Sequence, residues 1–147
     1  MIPISKPFLS NEEAQSAYDT ILTGWVTQGP RVEEFEHEFV KITGSKYAVA
    51  VSNCTTALHL SLAALGFRSG DEAIVPAFTW ISTANVIEHF GGKVIFCDID
   101  PFTFNIDVNQ IESKITSRTR AIIPVHLFGL SADMTPINKI AKQYNLW

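Results

Sequence analysis

Apolar and polar positions follow two different rhythms along this chain. Over the first 44 residues the period is helical. Ser10-Asn11 ahead of Glu12 and Glu13 reads as a cap with acidic first-turn residues, and the helix should run to about Leu22 and stop at Gly24. A loop, Trp25-Val-Thr-Gln-Gly-Pro30, follows, and Pro30 suits the start of a second helix. Val32, Phe35, Phe39 and Ile42 recur at helical spacing, and Gly44 ends the pattern. From residue 45 short apolar runs alternate with helical stretches. The runs 47–52, 72–75, 93–97 and 121–125 predict strands, whereas 56–65, 82–90, 107–114 and 135–144 predict helices. Gly66 and the pair Gly91-Gly92 supply stops, and Pro136 falls near the first turn of the last helix.

The alternation βαβαβαβα, with strands apolar on both faces, predicts a parallel sheet covered by helices on two sides. The organisation is then N-terminal helices over 1–44 followed by βα units over 45–147. Ligands of such sheets bind beyond the carboxyl ends of the strands. The positions to inspect are therefore Asn53–Thr56, Pro76–Trp80, Asp98–Asp100 and His126–Gly129.

Composition narrows the class. The chain has 147 residues, 46% of them hydrophobic, which is enough to build one core. A net charge of −4 without a basic run argues against nucleic acid as a partner. No apolar stretch reaches the ~20 residues of a membrane span, and Met-Ile-Pro-Ile-Ser-Lys-Pro-Phe does not read as a secretory leader. Cys54 and Cys97 lack metal-ligand spacing and read as buried thiols beside strands. A cytoplasmic protein is expected.

Four post-strand turns carry the candidate chemistry. Ser52-Asn-Cys-Thr-Thr-Ala57 offers hydroxyls and free N–H groups at a helix start, which suits a phosphate. It is neither a Walker loop nor a dinucleotide Gly-x-Gly-x-x-Gly motif; plain capping by Asn53 or Thr55 explains it equally well. In the second turn Trp80 either stacks on a flat ligand, worth about 0.5–1.5 kcal/mol beyond its area burial, or packs as a core or interface aromatic. Asp98 and Asp100 in the third are an acid/base pair, metal ligands or, more ordinarily, turn caps. His126 in the fourth contacts a ligand or serves structure, and His59 reads as a packing residue inside its helix.

Taken in order, these segments resemble the DegT/DnrJ/EryC1/StrS family of pyridoxal phosphate (PLP)-dependent nucleotide-sugar aminotransferases. The marks are Gly24-Trp-Val-Thr-Gln-Gly-Pro30, Ser52-Asn-Cys-Thr-Thr-Ala-Leu-His59, Val75-Pro-Ala-Phe-Thr-Trp80 with Ser82-Thr-Ala-Asn85, Thr103-Phe-Asn-Ile-Asp107, and Thr119-Arg-Ala-Ile-Ile-Pro-Val-His-Leu-Phe-Gly129. The resemblance implies the N-terminal part of the large domain of the aspartate-aminotransferase-like fold, PLP fold type I, a three-layer α/β/α sandwich. It implies that Thr55 and Thr56 bind the cofactor phosphate, that Trp80 stacks on the pyridine ring, and that Trp25 and Thr27 lie on the substrate side. The implied reaction moves an amino group, usually from glutamate, to a keto sugar on a nucleotide, in a homo-oligomer that makes surface polysaccharide or deoxysugars.

In the family pattern the lysine that holds the cofactor as a Schiff base, and the Asp that pairs with the pyridine nitrogen, fall beyond Trp147. None of Lys6, Lys41, Lys46, Lys93, Lys114, Lys139 and Lys142 stands in the matching context. The expectation is a truncated chain with no catalytic residue of its own, inactive alone, whose strand at 47–52 lacks its family neighbour. The other readings are a non-catalytic phosphate-binding or scaffold remnant, and part of a related sugar dehydratase.

Overall fold

A computed structural model describes residues 6–147. The family resemblance runs from Ile2 to the last residue, and Ile2 lies outside the described residues. The chain divides into two compact units, Met1–Ala50 and Val51–Trp147.

The first unit is built on two helices with locally encoded ends. α1 (Asn11–Leu22) begins with a capping box: the Ser10 hydroxyl accepts from the backbone of Glu12, and the Glu13 carboxylate accepts from the Ser10 N–H. α2 (Pro30–Thr43) starts on proline and ends at Gly44 in the left-handed region, at φ 68°. Neither helix contains a buried residue, and Phe35, Phe39 and Ile42 stay exposed on the apolar face of α2. The Glu36 carboxylate accepts from the Ala50 N–H at 2.6 Å and ties the end of the unit to α2.

The second unit is a three-layer α/β/α arrangement. Its parallel sheet has the order β2-β1-β3, from β1 (Glu72–Pro76), β2 (Lys93–Cys97) and β3 (Thr119–Ile122). β1 is central and buried along its whole length. Its side chains alternate between two cores, as the two-residue period of a strand requires. Ala73 and Val75 pack with Leu62, Phe67, Val86 and Ile87 from the side of α3 (Cys54–Leu65) and α4 (Ser82–Glu88). Ile74 packs with Cys97, Ile111, Ile122, Ile137 and Ile140 from the side of α5 (Val108–Ile111) and α6 (Met134–Tyr144). Trp147 lies alongside β3, donating to the Arg120 carbonyl and accepting from the Ile122 N–H, both at 2.9 Å.

Several expectations change. Residues 47–52 form no strand; Tyr47 and Val49 are exposed, and no described strand pairs with them. An apolar β-branched run becomes a strand only with a neighbour to complete its hydrogen bonds, and none of the three described strands pairs with it. The third strand starts two residues early, at Thr119, because Thr119 and Ala121 pair with Glu72 and Ala73 across a register shift. The helix expected over 107–114 is α5 followed by a 3-10 turn, Glu112–Lys114. Cys97 is buried, as expected, but Cys54 is exposed because it opens α3 rather than closing a strand.

Candidate phosphate and cofactor site

The first turn of α3 decides which groups are free for a ligand. Asn53 is the cap: its side-chain oxygen accepts from the Thr56 N–H at 2.9 Å and from the Thr56 hydroxyl at 3.1 Å. The Ala57 N–H goes to the Asn53 carbonyl. The N–H groups of Cys54 and Thr55 meet no acceptor among the described residues. They head a 12-residue helix whose first turn carries no acidic side chain to compete with an anion. Thr55, half-buried, donates its hydroxyl proton to Ser82 Oγ at 2.9 Å, joining the starts of α3 and α4. The two threonines of the motif therefore differ. Thr56 is committed to the cap, and Thr55 presents a free amide and a paired hydroxyl.

Trp80 lies in the turn between β1 and α4, two residues before Ser82. It is 78% exposed, so it is not a core aromatic of this unit. The turn itself is firm. The Thr83 N–H donates to the Trp80 carbonyl at 3.0 Å, and the Thr79 and Thr83 hydroxyls lie 3.2 Å apart. The first turn of α3 and the Trp80 turn are thus linked through the Thr55–Ser82 hydrogen bond.

Trp25 and Thr27 lie in the first unit. With Asp19, Thr23, Pro30 and Glu34 they line a cavity of about 530 Å³. The Trp25 indole N–H donates to the Gln28 carbonyl at 2.6 Å, and the ring lies against Gly29. A Cβ at residue 29 would stand 2.1 Å from Trp25 Nε1. Gly29→Ala is therefore expected to displace the ring and break its bond to Gln28, which solvent exchange of the Trp25 indole proton would report as faster. Unchanged exchange would show that the ring is not held by this contact.

The remaining candidates serve structure. Asp98 accepts from the Ile99 N–H, and Asp100 from the N–H groups of Phe102 and Thr103. Those two N–H groups hold the Asp100 carboxyl below its ordinary range. His126 accepts from the Ala132 N–H through Nδ1 at 3.0 Å, and His59 stacks on Phe90 with centroids 4.5 Å apart. Burial pushes the Cys97 thiol up, away from reactivity. No cluster of metal-ligating side chains occurs among the described residues.

Sequence reasoning missed two features here. One is Ser82, whose partner Thr55 is 27 positions away. The other is Asn105, buried, which donates to the Leu130 carbonyl and accepts from the Leu127 N–H. It pins the segment in which Phe128 meets Phe78 and Phe104, each at a centroid distance of 6.4 Å. An asparagine inside an aromatic-rich turn gives no periodic signal that would have revealed this.

The sequence model of the DegT/DnrJ/EryC1/StrS aminotransferase family matches residues 7–147. The chain belongs to this family. It is 44% identical over 146 residues to the spore coat polysaccharide biosynthesis protein SpsC of Bacillus subtilis, covering 99% of this chain and 38% of SpsC. Among solved structures, NtdA of Bacillus subtilis, with bound PMP cofactor, matches at 39% identity and a TM-score of 0.88, over 94% of this chain and 33% of NtdA. GDP-4-keto-6-deoxy-D-mannose-3-dehydratase of E. coli, with bound hydrated PLP, matches at 35% identity and a TM-score of 0.89, over 98% of this chain and 39% of that enzyme. The fold is thus the N-terminal part of a PLP-dependent aminotransferase fold, and pyridoxal phosphate is the family's cofactor. The chain spans about a third to two fifths of the length of these relatives. No described helix is long and apolar enough to cross a membrane.

The donor set fits the phosphate of that cofactor. Two unengaged amides and a half-buried hydroxyl pair stand at the start of α3, where the helix dipole favours an anion.

Proposed function

We propose that this chain supplies the phosphate-binding and ring-stacking part of a PLP-dependent aminotransferase acting on a nucleotide-linked keto sugar, with glutamate as amino donor. The observation that carries the reading is the first turn of α3, where the Cys54 and Thr55 amides are free beside the Thr55–Ser82 hydroxyl pair. When bound, the cofactor supplies the electron sink on which an amino group is moved.

The chain's own residues bind and orient. Thr55 holds the phosphate through its amide and hydroxyl, and the Cys54 amide adds a second donor. Thr56 contributes through the cap it makes with Asn53, which keeps the neighbouring amides pointed outward. Trp80 is the aromatic that stacks on the pyridine ring, and Trp25 and Thr27 line the substrate side. No lysine or aspartate of this chain is assigned a catalytic role. The working form is a homo-oligomer in the cytoplasm, serving polysaccharide or deoxysugar biosynthesis. As domain organisation we propose N-terminal helices to residue 44 and βα units of the large domain after it.

The likeness to the E. coli dehydratase favours a second reading, in which the same cofactor end serves sugar dehydration. A third is a binding remnant without chemistry. All three share the phosphate site, which is tested first. Thr55→Val, which keeps the shape and removes the hydroxyl, is expected to weaken pyridoxamine 5′-phosphate binding roughly tenfold, the scale of one hydrogen bond to a charged group. Equal affinity of the variant and the parent chain in a calorimetric titration would remove Thr55 from the site.

A further inference from the structure

We propose that Ser82 is a positioning residue for the bound phosphate, directing the Thr55 proton onto the anion. The proposal rests on the reading of α3 as the phosphate site. Each hydroxyl has one proton to give and lone pairs to receive. Without ligand, Thr55 gives its proton to Ser82 Oγ at 2.9 Å. A phosphate offers acceptors only. Thr55 can serve it only by turning its proton away from Ser82. The pair then reverses: the Ser82 O–H donates to Thr55 Oγ1, and the Thr55 O–H donates to a phosphate oxygen. Both hydroxyls rotate, no bond to hydrogen breaks, and after the switch each hydroxyl donor has an acceptor. Each bond polarises the next, which strengthens the one that reaches the anion.

Two observations single out Ser82. Thr56 cannot take its place, because the Thr56 hydroxyl and amide are both held by Asn53. Ser82 is also the one side chain to which the Thr55 hydroxyl bonds among the described residues. It comes from the other side of the α3–α4 packing, in the same turn as Trp80, so it couples the phosphate end of the site to the ring end.

The experiment titrates the 147-residue chain with pyridoxamine 5′-phosphate and, in parallel, with pyridoxamine, which lacks the phosphate. Binding is followed by the backbone amide resonances of Cys54 and Thr55. Ser82→Ala is expected to weaken the phosphorylated ligand about fivefold, the size of an ordinary hydrogen bond, and to leave pyridoxamine unchanged. Ser82→Thr, which keeps the hydroxyl, should restore the affinity. In a Thr55→Val background, Ser82→Ala should have no further effect. Parental affinity in Ser82→Ala overturns the proposal, as does an equal loss for pyridoxamine or a full additional loss in the Thr55→Val background. A purely structural tether between α3 and α4 would give those last two results. If the Cys54 and Thr55 amides of the parent chain ignore the phosphate, the site reading fails and Ser82 with it. If Thr55→Val weakens binding and Ser82→Ala does not, only the Ser82 proposal fails.

Discussion

Ile74→Ala is expected to cost the second unit about 4 kcal/mol of stability. Ile74 is fully buried in the middle of the central strand. It packs in a cluster with Cys97 of β2, Ile122 of β3, Ile111 of α5, and Ile137 and Ile140 of α6. Removing its outer carbons forfeits roughly 0.8 kcal/mol for each buried methylene. A residual cavity adds to that, and buried Ile-to-Ala changes fall at about 2–5 kcal/mol. We place Ile74 in the upper part of that range because its walls cannot close in. Two of them are strands locked to β1 by parallel ladders on both sides. Urea unfolding followed by circular dichroism measures the change. A loss below about 1 kcal/mol would mean that the core on the α5–α6 side does not depend on this side chain.

The second large effect lies at the opposite end of β1 from the candidate site. Glu72 opens the strand and is 1% exposed. Its carboxylate accepts from the Thr116 hydroxyl at 2.5 Å and from Arg118 Nη2 at 2.9 Å, with Lys93 Nζ at 3.9 Å. Those partners hold its pKa below the ordinary glutamate value, the Thr116 hydrogen bond first and the Arg118 and Lys93 charges after it, against a burial cost that raises it. A carboxyl with a depressed folded-state pKa stabilises the protein above the unfolded value of about 4.3. That contribution disappears as pH falls through the lower, folded value. Arg118→Ala removes one charged partner from a buried carboxylate. Breaking a fully buried pair costs about 3–5 kcal/mol, but the Arg118 side chain is 63% exposed. Solvent already screens it, so a loss of about 2 kcal/mol is expected at neutral pH. The acid-unfolding midpoint should also move to higher pH, whereas Glu72→Gln should flatten this part of the pH profile. An Arg118→Ala chain with the parental acid midpoint would show that Thr116 and Lys93 suffice to keep Glu72 ionised.

The two helices of the first unit were legible because their ends are local. Ser10, Glu13, Pro30 and Gly44 each act within one turn of chain, and the observed boundaries follow them. The alternation of β1, α4, β2, β3 and α6 was legible because each strand is a short, largely apolar run set between helical stretches, although only β1 is buried along its whole length. The run at 47–52 looked the same and is not a strand. Pairing belongs to two segments, and one segment's composition cannot supply the second. The buried charge of Glu72 was equally invisible, because Thr116 and Arg118 lie 44 and 46 positions away.

At the candidate site the sequence alone determined that small hydroxyl residues stand at a helix start after residue 52, and that a tryptophan follows the next strand. It left open whether Asn53 or Thr55 caps that helix, and only the tertiary structure decided. Asn53 takes the cap and absorbs Thr56, which leaves the Thr55 hydroxyl for Ser82 and two amides without protein acceptors. The reason is physical. A cap is chosen by competition among groups within one turn, and the winner depends on which side chain a neighbouring helix has already engaged. That neighbour is α4, placed beside α3 by a sheet whose order no single stretch of the chain contains.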